Sequence, residues 1–161
     1  MNLSLGKLKI VKALSEETTC FTADLLLDGR VIAHLSNRGH GGCDEVRAVD
    51  RDALKAAEEW CKTLPPLPGF QGCAPLPMDL ELYVSGLIDK HEIEGRAKRA
   101  LKNNILFIRD GELYQVSRKR STLSSVRRTQ EHKHPGKTIV YLDDMGPDAA
   151  LAKVIELAQV A

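Results

Sequence analysis

The 161-residue sequence lacks any apolar stretch of the roughly 18 residues that a transmembrane helix requires. Its first seven residues also lack an apolar core long enough for a secretory signal, so we expect a cytoplasmic protein without membrane contact. The four cysteines form no Cys-x-x-Cys pair and no histidines show zinc-finger spacing, so we expect reduced thiols, no metal and no cofactor. Aromatic residues make up only 4% of the chain, whereas proteins that stack single-stranded bases usually carry more.

Complete catalytic motifs are absent as well. Gly39-His40-Gly41 lacks the third glycine of a dinucleotide-binding loop, and no GxxxxGK[ST] phosphate loop occurs anywhere. Cys43 does not stand in a nucleophile elbow, because position 45 is glutamate rather than glycine. These absences favour a protein that binds a partner over an enzyme.

The chain has the composition of an ordinary globular domain, with 43% hydrophobic residues, 28% charged residues and a net charge of +1. We therefore predict a single compact domain over residues 1–161. Five of the seven prolines fall within residues 64–77, which carry no charge. This segment predicts a connector without helix between possible sub-halves 1–63 and 78–161, since proline disrupts helix interiors and central strands.

Turn and capping residues predict the elements of the fold. Asp28-Gly29 between two apolar runs is typical of a two-residue type I′ hairpin, after a first strand over 7–14. The predicted cross-strand pairs are Leu25 with Ile32, Ala23 with His34, and Leu26 with Val31. Helices are predicted after Asp50 or Asp52, after Asp79 and from Pro147, with Gly95 dividing the second. Strands are predicted over 46–49, 105–108, 113–116 and 137–142. The fold class is therefore α+β, with antiparallel β-hairpins packed with several helices.

The densest group of reactive residues is the loop Gly39-His40-Gly41-Gly42-Cys43-Asp44. Its glycines allow sharp turns, His40 could act as a base near neutral pH, and Cys43 could act as a nucleophile. The catalytic interpretation is a small hydrolase or nuclease. The structural interpretation is a connection that needs positive φ, with His40 and Cys43 incidental, and it is the one we favour.

A basic region follows in the second half. Residues 96–137 carry twelve basic and three acidic side chains, which suits an anionic partner. The candidate partner-binding residues are Arg118, Lys119, Arg120, Arg127, Arg128 and Lys133. Serine and threonine between them offer hydroxyls to phosphate oxygens. The alternative is an ordinary solvated face. Asp143-Asp144 is the best candidate carboxylate pair for a metal ion, although a cap and a solvated turn is the favoured interpretation.

The hairpin followed by Asn-Arg-Gly-His-Gly-Gly-Cys resembles small proteins of phages and mobile elements over residues 15–48. The resemblance implies interference with a host defence system, as in an anti-CRISPR or related inhibitor, and it carries no catalytic assignment. The sequence thus favours a non-enzymatic binding protein that engages a protein of a host defence complex, or nucleic acid, through its basic second half. The alternative is the small hydrolase or nuclease that uses the glycine-rich loop.

Overall fold

The computed structural model describes residues 1–69 and 73–160 of the chain. The chain forms two compact units, Met1–Ile88 and Asp89–Ala161, each with its own sheet. The boundary between the units falls inside a helix. The prediction of a single domain with sub-halves 1–63 and 78–161 stays a prediction.

The first unit contains an antiparallel sheet in the strand order β1-β2-β3-β4. Its strands are β1 (Leu3–Ile10), β2 (Phe21–Leu27), β3 (Arg30–Asn37) and β4 (Glu45–Ala48). The first strand lies closer to the N-terminus than the predicted range 7–14, because buried Leu3 pairs with Leu27. The residues after this strand, Lys12–Leu14, form a short 3₁₀ helix.

The β2–β3 hairpin turns at Asp28-Gly29, as predicted. The φ angles of these residues are 49° and 85°, both left-handed, as a type I′ turn requires. Leu26 lies opposite Val31, which confirms the pair next to the turn. The local sequence therefore predicts the turn and its first pair correctly.

Beyond that pair, the register of the hairpin shifts by one residue. Ile32 is an extra residue in β3, so that Leu25 lies opposite Ala33 and Asp24 lies opposite His34. The predicted pairs of Leu25 with Ile32 and of Ala23 with His34 are therefore wrong. Ile32 and Ala33 are both fully buried, which strict alternation along a strand would not allow.

The core of the first unit lies between one face of this sheet and two helices. Helix α1 (Arg51–Lys62) begins after Asp50, whose carboxylate accepts a hydrogen bond from the Ala53 N–H at 3.0 Å. This confirms one of the two predicted caps. Buried residues of the core include Phe21, Ala23, Leu25, Ile32 and Leu35 of the sheet, Ala57 and Cys61 of α1, and Leu80, Val84 and Ile88 of the next helix.

The connector 64–77 contains no helix in its described residues, as its prolines predict. Leu67 and Leu76 form an antiparallel bridge with N–O distances of 2.9 and 3.0 Å. The segment therefore folds back on itself. Residues 70–72, which fall within the same prediction, lie outside the described residues.

Helix α2 (Leu80–Asn103) is continuous, so the predicted division at Gly95 is wrong. Its start agrees with the prediction, since the Asp79 carboxylate accepts a hydrogen bond from the Leu82 N–H at 2.8 Å. A glycine in a helix costs only about 1 kcal/mol relative to alanine. Packing outweighs that cost here, because Val84 and Ile88 are buried in the first unit and Ala97 is buried in the second.

The second unit contains an antiparallel sheet in the order β6-β5-β7, with helices on both faces. Its further elements are β5 (Asn104–Arg109), β6 (Glu112–Ser117), α3 (Leu123–Lys133), β7 (Ile139–Tyr141) and α4 (Pro147–Val160). One face, with Leu106 and Ile108, packs with Ala97 of α2 and Val154 of α4. The opposite face packs on α3 through Val126. Both sheets are antiparallel and combine with helices, which confirms the α+β class.

Candidate functional site

The glycine-rich loop joins β3 to β4 and has the geometry of a structural connection. Gly39, Gly41 and Gly42 have φ angles of 87°, 85° and 94°, which side-chain-bearing residues rarely adopt. Gly39 has a second reason to be glycine, because a Cβ atom there would lie 2.0 Å from the Leu14 carbonyl oxygen. The Gly39 carbonyl also accepts hydrogen bonds from the N–H groups of Glu16, Glu17 and Thr18.

Asn37, at the end of β3, holds this loop in place and was not identified from the sequence. Its buried side chain accepts hydrogen bonds from the Thr18 hydroxyl at 2.8 Å and from the Gly39 N–H at 2.9 Å. Its amide group donates to the Gly42 carbonyl at 3.3 Å and to the Asp44 carboxylate at 3.0 Å. Four hydrogen bonds from one side chain thus fix the loop at both of its ends.

The two reactive side chains of the loop, His40 and Cys43, have different surroundings. His40 Nδ1 lies 3.2 Å from a carboxylate oxygen of Glu16, and both side chains are exposed. Cys43 is exposed too, and within residues 1–69 and 73–160 no hydrogen bond connects it to His40. The described contacts of the His40 ring therefore lead to Glu16, and the catalytic interpretation of the loop stays a prediction.

Asp44 closes the loop against α2. Burial raises the pKa of this carboxyl above its ordinary value, the hydrogen bond from Asn37 opposes that rise, and the charge of Glu81 adds to it. The Asp44 N–H donates to a Glu81 carboxylate oxygen at 3.2 Å. Across the described part of the chain, histidine, cysteine, aspartate and glutamate nowhere gather in a group of three or more placed to hold a metal ion.

Two of the six predicted basic residues are neutralised within the second unit. Arg118 forms an ion pair with Asp143, and Arg127 forms one with Asp144. The Arg127 guanidinium also lies over the Tyr141 ring, 4.7 Å from its centroid. The carboxylate pair considered for a metal ion therefore binds these two arginines instead.

The other four predicted residues, Lys119, Arg120, Arg128 and Lys133, are exposed and have no ion pair or side-chain hydrogen bond among the described residues. We call them the unpaired basic residues. Lys119 and Arg120 lie in the turn before α3, whereas Arg128 and Lys133 lie on the helix itself. Four of the five hydroxyls between Lys119 and Lys133 are engaged. Thr122 and Ser125 form a reciprocal capping box at the start of α3, Ser124 contacts the Thr122 hydroxyl, and Thr129 donates to the Ser125 carbonyl. Positive charge is therefore what this region offers a partner.

A second polar cluster lies on the first sheet, where the sequence indicated only a hydrophobic hairpin. Asp24 is only 7% exposed. Its carboxylate lies 2.6 Å from His34 Nδ1, with which it forms a hydrogen bond, and 3.1 Å from Lys7 Nζ, with which it forms an ion pair. Hydrogen bonds from His34 first, and then from Lys7, lower the pKa of Asp24 below its ordinary value. The sequence signal for this cluster was Asp24, an aspartate between apolar strand residues. The predicted register placed His34 opposite Ala23, so it did not predict the contact between Asp24 and His34.

Neither a scan against protein-family models nor searches of curated proteins and of solved structures found a match to this chain. None of the helices within the described ranges has the length and apolar content needed to span a membrane.

Proposed function

We propose that the chain is a non-enzymatic binding protein that engages nucleic acid through the unpaired basic residues of its second unit. The observation that carries the proposal is that four exposed cations have no carboxylate partner among the described residues, while nearby aspartates pair with other cations. Asp143 and Asp144 are used by Arg118 and Arg127, and Asp110 is used by Lys137 at 3.0 Å.

The charge balance of the second unit supports an anionic partner. Residues 89–161 carry fourteen basic and ten acidic side chains, whereas residues 1–88 carry nine basic and twelve acidic ones. Positive charge that local carboxylates do not neutralise attracts a polyanion and accelerates its association. The scarcity of aromatic residues favours contacts with the phosphate backbone over stacking of bases.

The hydrolase or nuclease alternative has less support. It needs Cys43 activated by a neighbouring base, but the nearest partner of the His40 ring is Glu16. The resemblance of residues 15–48 to proteins of phages and mobile elements adds a setting to the proposal. In that setting the partner is a nucleic acid or a protein of a host defence complex, and binding obstructs that complex.

The test measures the affinity of single-stranded and double-stranded oligonucleotides by fluorescence anisotropy over a series of salt concentrations. We expect the double variant Lys119→Glu, Arg120→Glu to weaken binding by roughly tenfold or more, because each backbone contact depends on released counterions. The slope of log affinity against log salt should become shallower by roughly 1.5, since each lost phosphate contact removes about 0.7–0.9.

A matched control reverses two basic residues of the first unit, Arg51→Glu with Lys55→Glu, which are exposed on α1. This control changes the net charge equally and should leave affinity and salt slope almost unchanged. Equal losses in both double variants would refute a role for the unpaired basic residues. A complex from a host lysate that survives nuclease treatment and shows a shallow salt slope would instead identify a protein partner.

A further inference from the structure

The four-stranded sheet of the first unit has a polar face opposite its core. The cross-strand register places Thr22 opposite Lys9 and Ser36, and it places Asp24 opposite His34. His34 in turn lies opposite Arg47 on β4. These side chains line a cleft of about 680 Å³, a volume within the range of small-molecule sites.

Asp24 lines the cleft and binds two side chains, His34 and Lys7. One of its oxygens binds His34 Nδ1 and the other binds Lys7 Nζ, while the carboxylate itself is almost inaccessible to solvent. Lys7 reaches it from an irregularity in β1, where the register shifts and the φ angle of Lys7 is 49°. Such a conformation is costly for a residue with a side chain, and it occurs often at functional sites.

This arrangement leaves hydrogen-bond donors directed away from Asp24. Because Nδ1 of His34 faces the carboxylate, it carries the proton of that hydrogen bond, and Nε2 is the ring nitrogen that remains for a ligand. Lys7 has three N–H donors, and its side chain is 83% exposed. Lys7 is thus held by the buried carboxylate and still has N–H groups for an anion, and His34 offers Nε2–H to an anion when its ring is protonated.

The other charges of the cleft also favour an anion. Lys9 and Arg47 are exposed and have no ion pair or side-chain hydrogen bond within the described ranges. Glu45 is the carboxylate that opposes them, and it is engaged by Arg38 at 3.7 Å and by the Ser36 hydroxyl at 3.3 Å. The cleft therefore contains two carboxylates, Asp24 and Glu45, and both already have partners within the protein. The nitrogen-bearing side chains that line it are Lys7, Lys9, Arg47 and His34.

We propose that this cleft binds the phosphate group of a small phosphomonoester, with Lys7, Arg47 and the protonated form of His34 as its donors. A phosphomonoester presents three terminal oxygens, which suits three donors that line one cleft from strands β1, β3 and β4. No phenylalanine, tyrosine or tryptophan lines the cleft in the described part of the chain, so its one ring for stacking a nucleobase is the imidazole of His34. This site is separate from the basic residues of the second unit in residues and in ligand.

The test follows the His34 ring and the backbone amides by NMR during titration with inorganic phosphate and with glucose 6-phosphate. We expect saturable shifts at His34 and Arg47 with both ligands, and no such shifts with equal concentrations of chloride. Arg47→Gln should weaken the affinity about tenfold, because a charge-assisted hydrogen bond is lost. The Arg47 side chain has no ion pair or hydrogen bond with the residues that the structure describes, so the variant is expected to fold normally.

Two further variants complete the experiment. His34→Gln should weaken phosphate binding to a similar extent, whereas Arg51→Gln, an exposed arginine on α1, should bind like the wild type. Unchanged affinity in Arg47→Gln, shifts that map to other residues, or an equal response to chloride would each overturn the proposal. Binding of an oligonucleotide at His34 without binding of either phosphate ligand would overturn it as well.

Discussion

Asn37 offers the sharpest test of how the glycine-rich loop is held. Its side chain makes four hydrogen bonds, two as acceptor from Thr18 and Gly39 and two as donor to Gly42 and Asp44. The substitution Asn37→Ala removes all four without adding volume. Every partner group must then find water or remain unsatisfied.

The expected loss follows from the exposure of these partners. The exposed Gly42 and partly exposed Asp44 regain water, so the loss of their bonds costs little. Gly39 is buried, and an unsatisfied buried N–H costs about 1–3 kcal/mol. With about 0.5–1.5 kcal/mol for the Thr18 bond, we expect the free energy of unfolding to fall by about 2–4 kcal/mol. For a chain of this size, that corresponds to a melting temperature lower by about 5–15 °C.

The measurement is a urea titration followed by tryptophan fluorescence. Trp60 is the only tryptophan and packs against the core of the first unit, so its emission reports on the unit that contains the loop. Asn2→Ala is the control, because it truncates an exposed asparagine whose side chain has no hydrogen bond in the described residues. Asn37→Asp keeps the acceptor oxygen for Thr18 and Gly39 but places a second carboxylate beside Asp44, so it should destabilise at pH 7 and recover in part near pH 4. An Asn37→Ala variant within about 0.5 kcal/mol of the wild type would refute the reasoning.

Three further predictions concern the same loop. Cys43→Ser should change the free energy of unfolding by less than about 0.5 kcal/mol and leave binding intact. Loss of binding at an unchanged melting temperature would instead support Cys43 as a nucleophile. Gly39→Ala should lower the melting temperature more than Gly42→Ala. The Gly42 substitution costs about 1–2 kcal/mol from its positive φ alone, whereas a Cβ at Gly39 also clashes with the Leu14 carbonyl. Thermal unfolding that gives the opposite order would contradict this clash. Because the folded-state pKa of Asp44 is raised, its charged form costs stability as the pH rises above about 3.8. Asp44→Asn should therefore stabilise at pH 7 but not at pH 3, and urea titrations at both pH values that show equal effects would disprove this.

Features that depend on a few neighbouring residues could be predicted from the sequence. Asp28-Gly29 turns the chain as a type I′ hairpin because few other pairs accept two left-handed residues. Asp50 and Asp79 begin helices because their carboxylates satisfy N–H groups three residues ahead. The glycines after β3 likewise indicated a connection with positive φ. In each case the energy that decides the conformation lies within about four residues.

The helix division at Gly95 and the strand register show where local rules fail. The glycine favours a break by only about 1 kcal/mol, which packing of the residues on both sides outweighs. The extra residue at Ile32 exists because two successive side chains, Ile32 and Ala33, are both buried in the core. Only that burial decides that His34 lies opposite Asp24, and a one-residue difference moves a side chain to the other face of the sheet.

The charge of the basic region was likewise visible in the sequence, but its availability was not. Arg118 and Asp143 are 25 residues apart in the chain, and Arg127 and Asp144 are 17 apart, so composition alone counted both arginines as open to a partner. The fold of the second unit brings each pair together and leaves the four unpaired basic residues exposed. The sequence by itself thus determined the turns, the caps and the sign of the charge, because these depend on residue type and near neighbours. The tertiary structure decided which charges are neutralised and that Asp24, His34 and Lys7 meet, because those contacts join residues that only packing brings close.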